Sequence, residues 1–210
     1  MSDTTGHANA ERAMWNTRYA EKELVWTANA NQFLVAEAAG LMPGRAIDLA
    51  AGEARNAVWL AEQGWAAHAV DFSEAGLDKG RQLAEARKVA DRVTFETADL
   101  RDYVPEMRGF DLVALFYLHL PWQALAPIIR RAADAVAPGG TLLVVGHDSA
   151  NLANGYGGPQ NPDVLFSADQ VTAALGGTLE IEKSGQVNRT VKTDTGTKTA
   201  IDCLVRAKRA

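Results

Sequence analysis

Cysteine is almost absent from this chain of 210 residues, where Cys203 stands alone. An internal disulfide is thereby excluded, and so is a zinc site built from several thiolates; no metal site is expected. Basic residues are outnumbered, 21 Lys and Arg against 26 Asp and Glu, for a formal net charge of −5. That balance leaves no basic stripe with which a sequence-independent nucleic-acid binder displaces counterions from phosphates. The one basic cluster, Arg206, Lys208 and Arg209, sits at the C-terminus and reads as a solvated end. No apolar run approaches the roughly 20 residues of a membrane span. The polar opening MSDTTGHANAERAM also lacks the positive-then-apolar order of a secretory signal. The expectation is a cytoplasmic monomer or homodimer with no membrane and no nucleic-acid partner. Glycine, finally, is scarce in one telling place: between Asp48 and Asn56, in AIDLAAGEARN, Gly52 is the only one.

What is present is an alternation. The first dozen residues are expected to lack fixed structure, and 11–41 is helix-friendly, with Trp15, Tyr19, Trp26 and Phe33, until Pro43-Gly44 breaks it. RAIDLA then reads as a buried strand, and a helix over Arg55–Gln63 stops at Gly64. AAHAVDF is a second strand, after which the Ser73 hydroxyl can cap a helix running to about Ala90. VTFETADL and the nearly all-apolar FDLVALFYLHL follow as third and fourth strands. Leu125, Ile128, Ile129, Ala132, Ala133 and Val136 make one helical stripe, with Pro127 placed near the helix start, where no amide proton is needed. After Pro138-Gly139-Gly140, TLLVVGH is a fifth strand. Residues 148–163, holding Gly155, Gly157, Gly158, Pro159 and Pro162, read as a long loop. A short helix over Ser167–Leu175 and the segments TLEIEK and AIDCLVR, with a turn at Asp194-Thr195-Gly196, close the chain as an antiparallel pair. Five strands alternating with helices imply a doubly wound α/β domain with a mostly parallel sheet. The whole of 1–210 reads as one domain: 13–42 a helical cover, 43–147 the ligand-binding core, 148–166 a substrate loop and 167–210 the closing helix and strand pair.

Ligands in such sheets bind outside the carboxyl ends of the strands. Those ends carry Asp48, Asp71, Asp99, Tyr117 with His119, and His147 with Asp148. Asp71 lies 23 residues after Asp48, the place of a carboxylate that accepts ribose hydroxyls. Phe72 beside it offers a face to an adenine, and Asp99 an acceptor for the adenine amine. A dinucleotide turn wants G-x-G-x-x-G to seat a pyrophosphate against backbone amides. Here Ala50, Gly52 and Arg55 match once in three, and Asp48 and Glu53 would repel phosphate. S-adenosylmethionine, a sulfonium cation with an amino group and no phosphate, suits these acids better.

The run Asp48 to Gly52, followed by Asp71, Asp99 and Pro138-Gly139-Gly140, resembles the class I S-adenosylmethionine-dependent methyltransferases over roughly residues 40–206. The resemblance implies a Rossmann-like, seven-stranded, mostly parallel sheet with its last strand antiparallel. It also implies S-adenosylmethionine as cofactor, held by Asp48, Ala50, Gly52, Asn56, Asp71, Phe72, Ser73, Asp99, Leu100 and Phe116. The family usually writes its first loop with three alternating glycines, where this chain has Ala50, Gly52 and Ala54. Ala54 is then expected to hold a negative φ, since alanine is disfavoured at positive φ. RNAVWLAEQGW behind an aromatic N-terminal helix is similar to the small-molecule branch that includes tellurite-resistance and thiopurine-type methyltransferases. There the N-terminal segment covers the cofactor, which assigns Trp15, Arg18, Tyr19 and Trp26 to a cover, Arg18 pairing with the methionine carboxylate. The acceptor is expected to be a small molecule touching Tyr117, His119, His147, Asp148 and Tyr156, with the 148–163 loop as its wall. His119 or His147 is the base if the nucleophile must lose a proton. Two other readings stay open: a noncatalytic S-adenosylmethionine-binding protein, and a nicotinamide-dependent oxidoreductase.

Overall fold

The computed structural model describes residues 4–21 and 27–210, with side chains from Asn9 onward. Its seven strands form one sheet in the order β3-β2-β1-β4-β5-β7-β6. They are β1 (Arg45–Leu49), β2 (Ala66–Asp71), β3 (Val93–Thr97), β4 (Phe110–Phe116), β5 (Val136–His147), β6 (Glu180–Thr193) and β7 (Gly196–Lys208). The chain divides into two compact units, Met1–Tyr103 and Val104–Ala210. Among the described residues no helix is long and apolar enough to cross a membrane.

In the first unit β1 pairs in parallel with β2, and β2 with β3. Residues 46–49 of β1 are all buried, the mark of a parallel strand covered on both faces. Helices α1 (Thr4–Ala20), α2 (Gln32–Ala38), α3 (Arg55–Glu62) and α4 (Glu74–Ala86) complete the unit. α1 starts at Thr4, so that residues 4–12, expected to lack structure, are helical. α4 begins as expected: the Ser73 hydroxyl accepts from the Gly76 amide at 3.2 Å.

In the second unit β4 and β5 are parallel, while β7 is antiparallel to both β5 and β6. α5 (Trp122–Asp134) buries Leu125, Ala126, Ile128, Ile129, Ala132 and Ala133, the stripe read from the sequence. Its start differs from expectation. Pro121 is the N-cap, so Pro127 falls inside the helix, where its ring nitrogen cannot donate to the carbonyl four residues back. Burial of the apolar stripe outweighs that lost bond. The 148–163 segment is not bare loop: it holds α6 (Asn151–Asn154) and enters a 3-10 turn at Pro162. α7 (Ala168–Leu175) carries a full capping box between Ser167 and Gln170. β6 and β7 are longer than TLEIEK and AIDCLVR, because a polar hairpin extends the pair to the Thr193–Gly196 turn.

Candidate active site

The loop after β1 keeps a glycine-type backbone without the glycines. Ala50, Gly52 and Ala54 all have positive φ, 61°, 56° and 51°. The expectation of a negative φ at Ala54 is therefore overturned: residue 54 is the left-handed N-cap of α3. The Ala54 methyl is accommodated by a glycine elsewhere. A Cβ on Gly80 of α4 would lie 2.7 Å from the Ala54 Cβ, so the missing side chain at 80 makes room for the one at 54. In the same way a Cβ on Gly76 would lie 2.8 Å from the Gly52 carbonyl oxygen, which lets α4 close on the loop.

Asp48 ends β1 almost wholly buried, and neither carboxylate oxygen has a hydrogen-bond partner among the described residues. Burial pushes its pKa from 3.8 up to about 7, with the Asp71 charge adding to the rise. The Ala57 backbone amide and the Asn56 side-chain amide, near Asp48 but outside hydrogen-bonding geometry, and the Arg55 charge oppose the rise without reversing it. A buried, unpartnered carboxyl is costly unless something cationic or protic reaches it. Asp71 is differently placed. Its oxygens accept from the Gly52 and Ser73 amides, both at 2.8 Å, while burial still holds its pKa above the ordinary value. A carboxylate has about four lone-pair sites, so these bonds leave Asp71 able to accept more. Glu53, counted as a second free acid, is buried against Lys79 at 3.4 Å. The acid of the turn without a hydrogen-bond partner among the described residues is therefore Asp48.

The cover residues take specific positions. The Ser73 hydroxyl donates to Asn16 of α1 at 2.6 Å, and Arg101 links Glu11 of α1 (2.9 Å) to Asp99 (3.0 Å). These ties hold α1 over the strand ends of its own unit. Tyr19 is buried, and a Cβ on Gly52 would come within 2.6 Å of its hydroxyl. The close approach expected at Gly52 is thus made in this structure by Tyr19. Trp15 lies 5.5 Å from the Tyr19 ring, and the exposed Arg18 guanidinium sits 4.9 Å over Trp15. Asn56 is buried and accepts from the Asn31 amide, Phe72 is half-buried, and Leu100 is buried. Trp26 lies outside the described residues.

The second unit gathers a cluster that sequence reading found only in part. Phe116 ends β4 in a buried position, and Tyr117 follows at φ 53°, a conformation an aromatic residue adopts only under constraint. His147 and Asp202 face each other directly across the β5–β7 ladder. Their side chains meet at 3.0 Å between Nδ1 and Oδ1. Asp202 is fully buried and also accepts from the Tyr117 hydroxyl and from Arg189 Nε, each at 2.7 Å. These donors hold its pKa below the usual carboxylate value despite burial. His119 stacks on His147 with centroids 5.4 Å apart, and Tyr117 lies 4.9 Å from the same ring. Asp202 and Arg189 were missed because each meets its partners across strands; the available signal was an acid inside the apolar run AIDCLVR.

The 148–163 loop is packed onto this cluster. Asn151 anchors it, accepting from the Ile201 amide at 2.7 Å and donating to the Gly157 carbonyl at 2.8 Å. A Cβ on Gly158 would sit 3.1 Å from the His147 ring, so glycine allows the loop to lie against it. Asp148 is buried and accepts from Gln186, while Tyr156 is exposed.

Comparison with known proteins agrees with this geometry. Residues 46–140 match the family model described as "Methyltransferase domain". The tRNA 5-carboxymethoxyuridine methyltransferase of Escherichia coli K12 is 27% identical over 109 residues, 51% of this chain and 42% of that protein. The match thus spans less than half the length of that curated relative. Among solved structures, the 1,6-didemethyltoxoflavin-N1-methyltransferase of Burkholderia thailandensis, with its bound substrate and S-adenosylhomocysteine, superposes with a TM-score of 0.71 at 18% identity. It covers 100% of this chain and 92% of its own. TehB from Haemophilus influenzae gives 0.71 at 14% identity, covering 86% and 63%. Over residues 46–140 the chain is thus similar to a methyltransferase domain, and it shares its seven-stranded fold with these solved methyltransferase structures.

Proposed function

We propose that this protein is a methyltransferase that takes a methyl group from S-adenosylmethionine and places it on a small-molecule nucleophile. The observation that carries the reading is Asp48, a buried carboxylate with two unpartnered oxygens beside a left-handed turn. A cationic ligand with an amino group satisfies it, and a pyrophosphate does not. In this reading Asp48 takes the amino group and Asp71 the ribose hydroxyls. Phe72 and Asp99 take the adenine, with Ala50, Gly52, Asn56, Ser73, Leu100 and Phe116 lining the site. Trp15, Arg18, Tyr19 and Trp26 belong to the cover. Bound S-adenosylmethionine supplies an electrophilic methyl on a sulfonium, whose thioether leaves without protonation. The protein's share is alignment and exclusion of water, with proton removal added where the acceptor requires it. On the acceptor side stand Tyr117, His119, His147, Asp148 and Tyr156, with His119 and His147 as the candidate bases.

The small-molecule reading is supported by the toxoflavin-type neighbour and by the acidic balance of the chain. The tRNA-modifying relative favours a second reading, a nucleoside in RNA. Transfer of radiolabelled methyl from S-adenosylmethionine to small thiols, phenols, amines, N-heterocycles and bulk tRNA separates the two. We expect label in a small acceptor and none in tRNA. Label in tRNA alone overturns the small-molecule reading, and label nowhere favours a binding protein.

A further inference from the structure

We propose that Asp202 is a positioning residue that holds His147 as a general base, so that the acceptor is a protic O–H or N–H compound. The inference rests on the methyltransferase reading and deepens it. Its observation is the set of bonds on Asp202, which is fully buried between β5 and β6 and takes three donors: His147 Nδ1, the Tyr117 hydroxyl and Arg189 Nε.

An ionised carboxylate can only accept hydrogen bonds. The proton on the 3.0 Å contact therefore belongs to His147 Nδ1, which leaves Nε2 as the nitrogen that carries the lone pair in the ring's neutral form. No described residue hydrogen-bonds Nε2. The ring is also fixed in orientation. His119 stacks on it at an interplanar angle of 15°, Tyr117 leans on it at 59°, and Gly158 lies against the ring. A ring pinned in one tautomer, with its free nitrogen not committed within the fold, is built to take a proton. Arg189 further lies 5.6 Å over the Tyr117 ring, so the three donors around the carboxylate brace one another.

The need for a base selects the acceptor class. A thiol supplies enough thiolate by itself near neutral pH, and a pyridine-type nitrogen has no proton to lose. A phenol, an enol or a heterocyclic N–H holds its proton and reacts faster as that proton leaves. In the step, the O–H or N–H proton passes to His147 Nε2 as the acceptor's electron pair forms the new bond to the methyl carbon. The carbon–sulfur pair stays on sulfur, giving a neutral thioether, methylated acceptor and imidazolium. Asp202 stabilises that imidazolium and does not itself take the proton. An amide in its place can donate to Nδ1 and turn the ring into the wrong tautomer.

The test has two readouts. Histidine-selective ¹⁵N NMR on the intact protein reads the tautomer without any ligand. We expect His147 as Nδ1–H with a pyridine-type Nε2, and loss of that signature in Asp202→Asn; an Nε2–H ring in the wild type overturns the proposal. Labelled-methyl turnover is then measured on catechol, imidazole, 2-mercaptoethanol and the heteroaromatic amine pyridine as probes. We expect label in catechol or imidazole, with kcat rising through one ionisation as pH increases. The charged and titratable groups around that ring are Asp202, Arg189, Tyr117, His119 and Asp148. Asp202→Asn and His147→Gln should each lower kcat about 100-fold or more and flatten the pH profile, with S-adenosylmethionine affinity unchanged. Label confined to the thiol or amine, label in no probe, or an unaltered kcat and profile in Asp202→Asn overturns it. Should Asp202→Asn not fold, the wild-type tautomer and His147→Gln decide alone. Absence of S-adenosylmethionine binding would instead sink the underlying reading.

Discussion

Asp48 sets the energetics of the site at the scale of one side chain. Its native pKa of about 7 lies above the unfolded value of 3.8, so between these limits the native state binds more protons than the unfolded chain. The favourable contribution of the protonated acid is fully present below pH 3.8 and is lost as pH rises through 7. A displacement of that size is worth about 4 kcal/mol. Asp48→Asn removes the titration, and urea unfolding at pH 4 and pH 8 should show it. The wild type should lose a few kcal/mol more than the variant over that interval. Equal pH dependence would mean that the carboxyl is not buried as described. The candidate acids at the ends of β1 and β2 were legible because chain order and spacing alone place them there. The positive φ of Ala50 and Ala54 was not, because an alanine gives no local sign of a left-handed backbone. Nor was Asp202, whose meaning comes from a histidine 55 positions away.

Pairs of elements show how the alanines are tolerated. A left-handed alanine costs roughly 1–2 kcal/mol, and at Ala54 the fold offsets this by burying the methyl where α4 has Gly80. Gly80→Ala should overpack that contact and destabilise by about 1–3 kcal/mol. Ala54→Gly should then relieve part of it, and the double variant should fall short of the summed single effects by about 1 kcal/mol or more. Denaturant unfolding of the four proteins measures the coupling, and strict additivity would place the two residues out of contact. The helices and parallel strands were legible through apolar runs and the 3.6-residue stripe of α5. The later part of α1 was legible as helix-friendly sequence, but its start at Thr4 was not, since that end is polar and carries no apolar stripe. The β6–β7 hairpin was underestimated for a similar reason: no residue around its Thr193–Gly196 turn is buried, so no apolar run marks it.

At the scale of the whole molecule, strand order and the distribution of labour follow from the same sheet. The antiparallel β7 between β5 and β6 is what puts Asp202 opposite His147. The first unit collects the buried acids Asp48 and Asp71, and the second collects His119, His147, Tyr117 and Arg189. That division was legible from which residues end which strands; the bonds among them were not. The claim that joins these scales is that the turn around Asp48 holds S-adenosylmethionine and no dinucleotide. Isothermal calorimetry of the intact chain with S-adenosylmethionine, S-adenosylhomocysteine and NAD tests it directly. At pH 6, saturable heat is predicted with both sulfur ligands, accompanied by proton release as Asp48 ionises against the bound amino group, and no heat with NAD. Heat with NAD and none with either sulfur ligand would contradict it.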